Sequence, residues 1–241
     1  MNQEAFQKIW KMIGLRYKSH PWHGIDIGEN APDVVTAFIE IIPSDTVKYE
    51  IDKKSGYLKV DRPQKFSNIV PALYGFVPQT ICKEEVAKTC MKHTGHVNIV
   101  GDDDPLDICI LTEREITHGN IIVQAIPIGG FRMIDGGEAD DKIIAVLKDD
   151  ALYGEWDNLS KVPEKIINRL KHYFLTYKQL PDDEAQCEIA QIYGREEAIE
   201  TIQASQNDYN KLYGDLEDVM SMTLLEAMNF GKRQQEILKG L

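Results

Sequence analysis

The chain has 241 residues, is 43% hydrophobic and 27% charged, and carries a formal net charge of −12 at pH 7. That composition belongs to an ordinary globular protein with a sizeable core, in one large domain or two small ones. The excess of acid argues against nucleic acid or anionic membranes as partners and suits a protein that gathers cations; no apolar run approaches a membrane span.

Residues 1–19 place Phe6, Ile9, Trp10 and Ile13 at helical spacing, which predicts an amphipathic helix. Lysines and glutamines interrupt its apolar stretches, so it does not read as a signal peptide. Residues 19–30 read as a loop broken by Pro21, Gly24 and Gly28; His20 and His23 there lack acids or cysteines at metal-ligand spacing. A strand is predicted over 34–42. Glu40 falls inside its apolar run, where an unpaired carboxylate is costly and a buried salt bridge is the plain expectation. Two short strands, 46–51 and 57–62, form a hairpin with glycine at its turn, and alternation puts Lys48 and Glu50 on one face. Residues 71–78 suggest a rigid strand end that presents the Tyr74 hydroxyl.

Residues 81–100 are polar and helix-tolerant, and a surface insertion is expected there. Cys82, Cys90, His93 and His96 occur in it at spacings wider than those of zinc fingers. With Cys109 and Cys187 they complete a set of four cysteines and two of the six histidines. No C-x-x-C pair is present, so free thiols in a reducing compartment, the cytoplasm, are expected.

Next comes the run Asp102-Asp103-Asp104-Pro105-Leu106-Asp107, led in by Gly101 and followed by the apolar residues 108–111. Carboxylates this close repel one another unless they are solvated, protonated or holding cations. Pro105 stiffens the turn, and the buried strand predicted after it anchors the turn to a core. Hard divalent cations take carboxylate oxygens presented in this way, so metal binding is favoured over a merely solvated loop. Residues 120–134 read as strands broken at Gly129-Gly130. A second acidic loop, Asp135-Gly136-Gly137-Glu138-Ala139-Asp140-Asp141-Lys142, then leads into an apolar strand. Two acidic loops tethered to buried strands make a polynuclear metal site plausible.

Pro163 opens a helix toward Tyr177 whose apolar stripe is Ile166, Ile167, Leu170, Tyr173 and Phe174, with Pro181 stopping the chain beyond it. Residues 187–193 suit a last strand, and 195–213 and 216–238 two further helices. The expected organisation is a single catalytic domain over 1–241: an N-terminal helical extension (1–33), a core (34–213) with an insertion at about 81–100, and a C-terminal helix (214–241).

Taken together these segments resemble the soluble family I inorganic pyrophosphatases. The acid-x-acid-Pro-apolar-acid run at 102–107, the hairpin from Lys48 to Arg62, Tyr74-Gly75-Phe76-Val77-Pro78, the loop from Met133 to Lys142 and the dipeptide Tyr177-Lys178 follow the family's order. The resemblance covers roughly residues 34–213. It implies an α+β fold with a mainly β core, a small closed OB-like barrel flanked by helices. It also implies hydrolysis of pyrophosphate to two orthophosphates by in-line attack of a metal-activated water, with several Mg²⁺ ions or Mn²⁺ in their place. On that resemblance Asp102, Asp107 and Asp140 hold the first metal, Asp107 bridges to a second, Asp135 and Asp140 hold those entering with substrate, and Glu40 holds a further one partly through water. Lys48, Arg62, Tyr74, Lys142, Tyr177 and Lys178 match phosphate-binding groups, with Glu50 among them, and Asp104 matches the acceptor of the attacking water's proton. A homo-oligomer is implied as well.

The chain departs from the family at Val70, where many bacterial members have tyrosine, and at Gly136, where an acid is common. The connection from Glu40 to Lys48 is also shorter. Other readings are weaker. A non-enzymatic divalent-cation-binding module is suggested because D-x-D-x-x-D begins like an EF-hand loop, but Asp107 stands where that loop needs glycine and a strand is predicted straight after it. An OB-fold nucleic-acid binder would need a basic–aromatic stripe, and a nucleotide phosphohydrolase a base pocket.

Overall fold

β-Branched residues dominate the first strand, β1 (Val35–Ile41), and nearly all of it is buried. The computed structural model describes residues 17–65, 67–178, 187–216, 219–220 and 222–223. The chain divides into two compact units, Ser19–Asp208 and a second made of Met1–Lys18 with Tyr209–Leu241. The helix expected over 1–19 and most of that expected over 216–238 lie outside the described residues.

In the first unit the hairpin is β2 (Val47–Ile51) with β3 (Leu58–Pro63), followed by β4 (Leu73–Phe76), helix α1 (Glu84–Thr94) and the short β5 (Val100–Gly101). Then come β6 (Asp107–Leu111), β7 (Ile121–Asp135), β8 (Glu138–Ala139) and β9 (Lys142–Leu147). Helix α2 (Glu164–Thr176), strand β10 (Cys187–Gly194) and helix α3, which starts at Arg195 and runs to Tyr213, complete the order.

The pairings close a ring. β1 lies antiparallel to β4 and to β7, β4 antiparallel to β6, β6 parallel to β9, and β9 antiparallel to β7. The order β1-β4-β6-β9-β7, with β7 returning to β1, is that of a small OB-like barrel. Closure leaves these strands no open edge and explains their almost continuous apolar runs.

The sequence pattern breaks the chain at Gly129-Gly130, yet β7 is one strand of 15 residues. Its register against β9 shifts between Pro127 and Gly129, a bulge that bends the strand instead of ending it. At Gly129 a Cβ would stand 2.4 Å from the Tyr193 carbonyl oxygen of β10, so the close approach needs glycine.

Alternation along β6 and β9 divides the core. Cys109, Leu111, Ile144 and Val146 face α2 through Ile167, Leu170, Tyr173 and Phe174. Ile108, Ile110, Ile143 and Ala145 face the other way, into a cluster shared with Val86, Ala87 and Cys90 of α1 and Ala198 and Ile202 of α3. The segment at 81–100 is therefore no mere surface insertion: α1 completes this cluster. The sparse apolar residues of the helix conceal that role in the sequence. Cys82, Cys90, Cys109 and Cys187 are all free and buried.

Helix α1 has no N-cap side chain of its own. Its cap comes from α3: the buried Asp208 carboxylate accepts the N–H groups of Lys83 (3.1 Å), Glu85 (2.9 Å) and Val86 (3.2 Å). Asp208→Ala would leave these donors without their carboxylate, and a cost of about 2–3 kcal/mol is expected. Urea unfolding should show a lower midpoint with an unchanged slope; an unchanged midpoint would refute the cap.

Candidate active site

Strand register brings the two acidic loops together. Asp107 opens β6, Lys142 opens β9, and the parallel pairing sets them side by side. The Lys142 ammonium, almost wholly buried, reaches both Asp107 and Asp140, and the Tyr74 hydroxyl donates to Asp107 Oδ2. Burial and then the neighbouring Asp140 charge push the Asp102 carboxyl up to about 9. Burial also raises Asp107, although Lys142 opposes it. At Asp140 burial acts in the same upward sense, but the Lys142 ammonium, helped by Lys178, outweighs it and holds the group below the usual carboxylate range. Burial and the Asp107 charge drive the Tyr74 hydroxyl well up, so it stays a neutral donor.

The acidic turn at 102–104 is pinned by backbone. Cys82 N–H donates to the Asp104 carbonyl at 2.9 Å and the Cys82 carbonyl accepts from Asp103 N–H at 3.1 Å. A Cβ at Gly101 would fall 2.1 Å from that same Cys82 carbonyl oxygen, which is why glycine leads into the turn. Asp102 Oδ1 accepts the Asp104 N–H at 2.9 Å. Asp103, at φ 61°, turns away and pairs with Lys83.

The hairpin supplies a second wall. Lys48 lies 3.4 Å from Glu50 and 3.1 Å from Asp61. Burial alone would lower the Lys48 pKa, but Asp61 and Glu50 raise it. Glu40 is buried and accepts the Ile51 N–H at 2.6 Å; this backbone partner replaces the salt bridge expected from sequence. Burial, with a contribution from Asp107, pushes Glu40 up to about 8. From α2 come Tyr177, which caps the helix, and Lys178, whose ammonium pairs with Asp135 and lies 5.3 Å from the Tyr177 ring centre.

All thirteen residues singled out in the sequence line one cleft: Glu40, Lys48, Glu50, Arg62, Tyr74, Asp102, Asp104, Asp107, Asp135, Asp140, Lys142, Tyr177 and Lys178. Lys53 and Glu138 line it too, unforeseen. Lys53 stands just past β2, pairs with Asp104 and donates to the Asp103 carbonyl at 3.2 Å. Glu138 shares its alternation with Asp140 and Lys142, a signal present in the second acidic loop. Val70, one of the departures, is buried in the core beside α2 and does not line the cleft. Gly136 sits at φ 59° with open space where a Cβ would stand.

Cys82, Cys90, His93 and His96 are not gathered into a zinc site. The two cysteines belong to the core, His93 lies between Glu197 (3.2 Å) and Glu200 (2.9 Å), and His96 meets Glu188 at 3.1 Å. Nor is there an EF-hand loop, since Asp107–Leu111 is strand.

The cleft holds eight carboxyl groups against five lysine and arginine side chains. Among the described residues no three carboxyl, imidazole or thiol groups by themselves enclose a cation, since Lys142 stands between Asp107 and Asp140. The fit to divalent cations rests on donor chemistry and charge: hard oxygens, net negative, beside cationic groups able to hold an anion. Fold and site together define a barrel protein equipped for cation-assisted chemistry on a small, highly charged anion.

A family model described as inorganic pyrophosphatase matches residues 37–210. An inorganic pyrophosphatase of Chlamydia caviae is 51% identical over 195 residues, 79% of this chain and 90% of that protein. The crystal structure of inorganic pyrophosphatase from Thermus thermophilus superposes with a TM-score of 0.66 at 26% identity, over 80% of this chain and 99% of the other. That of the type I enzyme from P. falciparum does so with a TM-score of 0.68 at 27% identity, over 85% and 68%. The chain belongs to the inorganic pyrophosphatase family. Membership implies a divalent metal cofactor. Among the described residues no helix is long and apolar enough to cross a membrane.

Proposed function

We propose that this chain hydrolyses inorganic pyrophosphate to two orthophosphates, using Mg²⁺ with Mn²⁺ as a substitute. The observation that carries the reading is the mixed charge of the cleft, eight carboxyls facing five cationic side chains. Carboxylates alone would repel a polyanion and cations alone would need no acids, so the combination suits an anion delivered with metal ions. The cleft volume, about 240 Å³, lies below the range of drug-sized ligand pockets and favours a small substrate over a nucleotide.

In this reading Asp102, Asp107 and Asp140 hold metal, with Asp135 and Glu40 supplying further oxygens. When bound, the metals neutralise substrate oxygens and acidify a water. Lys48, Arg62, Lys142 and Lys178 bind the phosphate oxygens and stabilise charge developing on the leaving group. Tyr74 and Tyr177 donate hydroxyl hydrogen bonds, and Glu50 orients Lys48 across their 3.4 Å contact. Asp104, its carboxyl open to the cleft, accepts the proton of the attacking water. The catalytic domain acts in the cytoplasm, as a homo-oligomer.

Phosphate release from pyrophosphate, ATP and a phosphomonoester, each with Mg²⁺, tests the proposal. Turnover on pyrophosphate alone is expected. Preference for ATP, or no release from any of them, would refute it.

A further inference from the structure

Behind the cleft lies a buried polar network that none of the roles above uses. Arg132 in β7 has 0% of its surface exposed and Asp141 has 2%. Asp141 stands between two cleft residues, Asp140 and Lys142, with its side chain on the opposite side of the chain. There it accepts from Arg132 Nε at 3.4 Å and from the Tyr193 hydroxyl at 2.9 Å. Arg132 Nη1 donates to Gln191 (2.9 Å) and Glu197 (3.0 Å) and Nη2 to Thr201 (3.3 Å), and the guanidinium lies 4.5 Å from the Tyr193 ring centre. Glu197 and Thr201 are one turn apart on α3, so both present to the same guanidinium. Backbone adds a link, the Asp140 N–H donating to the carbonyl of Met133, the neighbour of Arg132, at 3.0 Å.

A buried ion pair is a poor device for stability, because desolvation offsets much of the Coulomb attraction and an apolar pair of similar size often does as well. Here one oxygen, Asp141 Oδ1, is buried without a hydrogen-bond partner among the described residues, a further cost. What the pair does supply is direction. An apolar side chain at 141 could settle in several rotamers, whereas a carboxylate held by a guanidinium and a hydroxyl fixes the backbone between Asp140 and Lys142. Small displacements of a cleft group cost large factors in rate.

We propose that Arg132 and Asp141, with Tyr193, are positioning residues that hold Asp140 and Lys142 in their working geometry. The proposal rests on the reading of Asp140 and Lys142 given above.

The test compares full-length variants saturated with Mg²⁺. The double variant Arg132→Met with Asp141→Leu removes both charges and leaves an apolar pair. It is expected to melt cooperatively within a few degrees of the parent, while kcat on pyrophosphate falls about tenfold and the Mg²⁺ concentration for half-maximal rate rises. Parental kcat and Mg²⁺ dependence at a parental Tm would overturn the proposal. Should the double variant not fold, Tyr193→Phe, which deletes one hydroxyl, carries the test. A several-fold loss of kcat at nearly constant Tm is expected, and an unchanged kcat overturns the proposal. Lys142→Met is the control on the underlying reading: it should nearly abolish turnover. If it does not, the assignment of the cleft itself falls and the proposal with it, whereas an inactive Lys142→Met beside fully active pair variants refutes the pair alone.

Discussion

Replacing Asp104 by Asn is expected to lower turnover on pyrophosphate roughly a hundredfold or more while metal and substrate still bind, because the amide cannot accept the proton of the attacking water. Added Mg²⁺ should not restore the rate. Asp102→Asn should behave differently. Its Oδ1 accepts the Asp104 N–H at 2.9 Å, and an amide oxygen can keep that bond. Metal affinity should fall with the lost charge, so activity partly recovers at high Mg²⁺. Asp103→Asn should be nearly silent. Its side chain lies outside the cleft, paired with the Lys83 ammonium near the surface, and Asn tolerates its φ of 61° as well as Asp does. Turnover of the three variants across a Mg²⁺ titration distinguishes the roles. Equal losses at all three positions, or a severe loss at Asp103 alone, would show that the wrong side of the turn has been assigned to the chemistry.

Metal removal is the second large effect. Asp102, Asp107 and Asp140 are crowded enough that Asp102 holds its proton up to about 9, through burial and then the Asp140 charge. A divalent cation favours the ionised forms, so binding should stabilise the native state and release protons. At ~100 times the dissociation constant the gain is roughly 2.7 kcal/mol, or roughly 5–10 °C in Tm for a chain of this size. Melting curves in EDTA and in millimolar Mg²⁺ measure it, and identical curves would count against a metal site in the cleft. Chelation should also abolish turnover. Ca²⁺ should bind yet support hydrolysis poorly, since its looser coordination misplaces the reacting groups.

In the acidic turn it is turn geometry, not strand alternation, that separates the carboxylates. In an extended segment, alternation would send Asp102 and Asp104 to one face and Asp103 to the other. The observed separation is the same, but the chain there is a turn. Asp103 is left-handed, its N–H held by the Cys82 carbonyl, and the Asp102 side chain accepts the N–H of Asp104 that follows. Lys53 was missed because its usefulness comes from the hairpin folding over that turn, an event its own neighbours in sequence do not announce.

What the sequence by itself determined were the local elements and the kinds of groups in the cleft. Short continuous apolar runs specify β1, β6 and β9, the stripe from Ile166 to Phe174 specifies α2, and Pro105 after a run of aspartates specifies a stiff acidic turn. Each depends on residues within a few positions of one another, where sterics and periodicity act directly. Tertiary structure alone decided the rest. Asp107 meets Lys142 only because β6 and β9 pair in one register, and a one-residue slip would turn Lys142 away from the cleft. β7 passes through its glycines because Tyr193 of β10 closes on it. Helix α1 belongs to the core because an aspartate 123 positions beyond Glu85 caps it. Those partners of Arg132 that lie on β10 and α3, 59 to 69 positions away, are equally hidden from local pattern. Buried charge is satisfied by whatever the fold brings within 3 Å or so, and sequence distance carries no record of that.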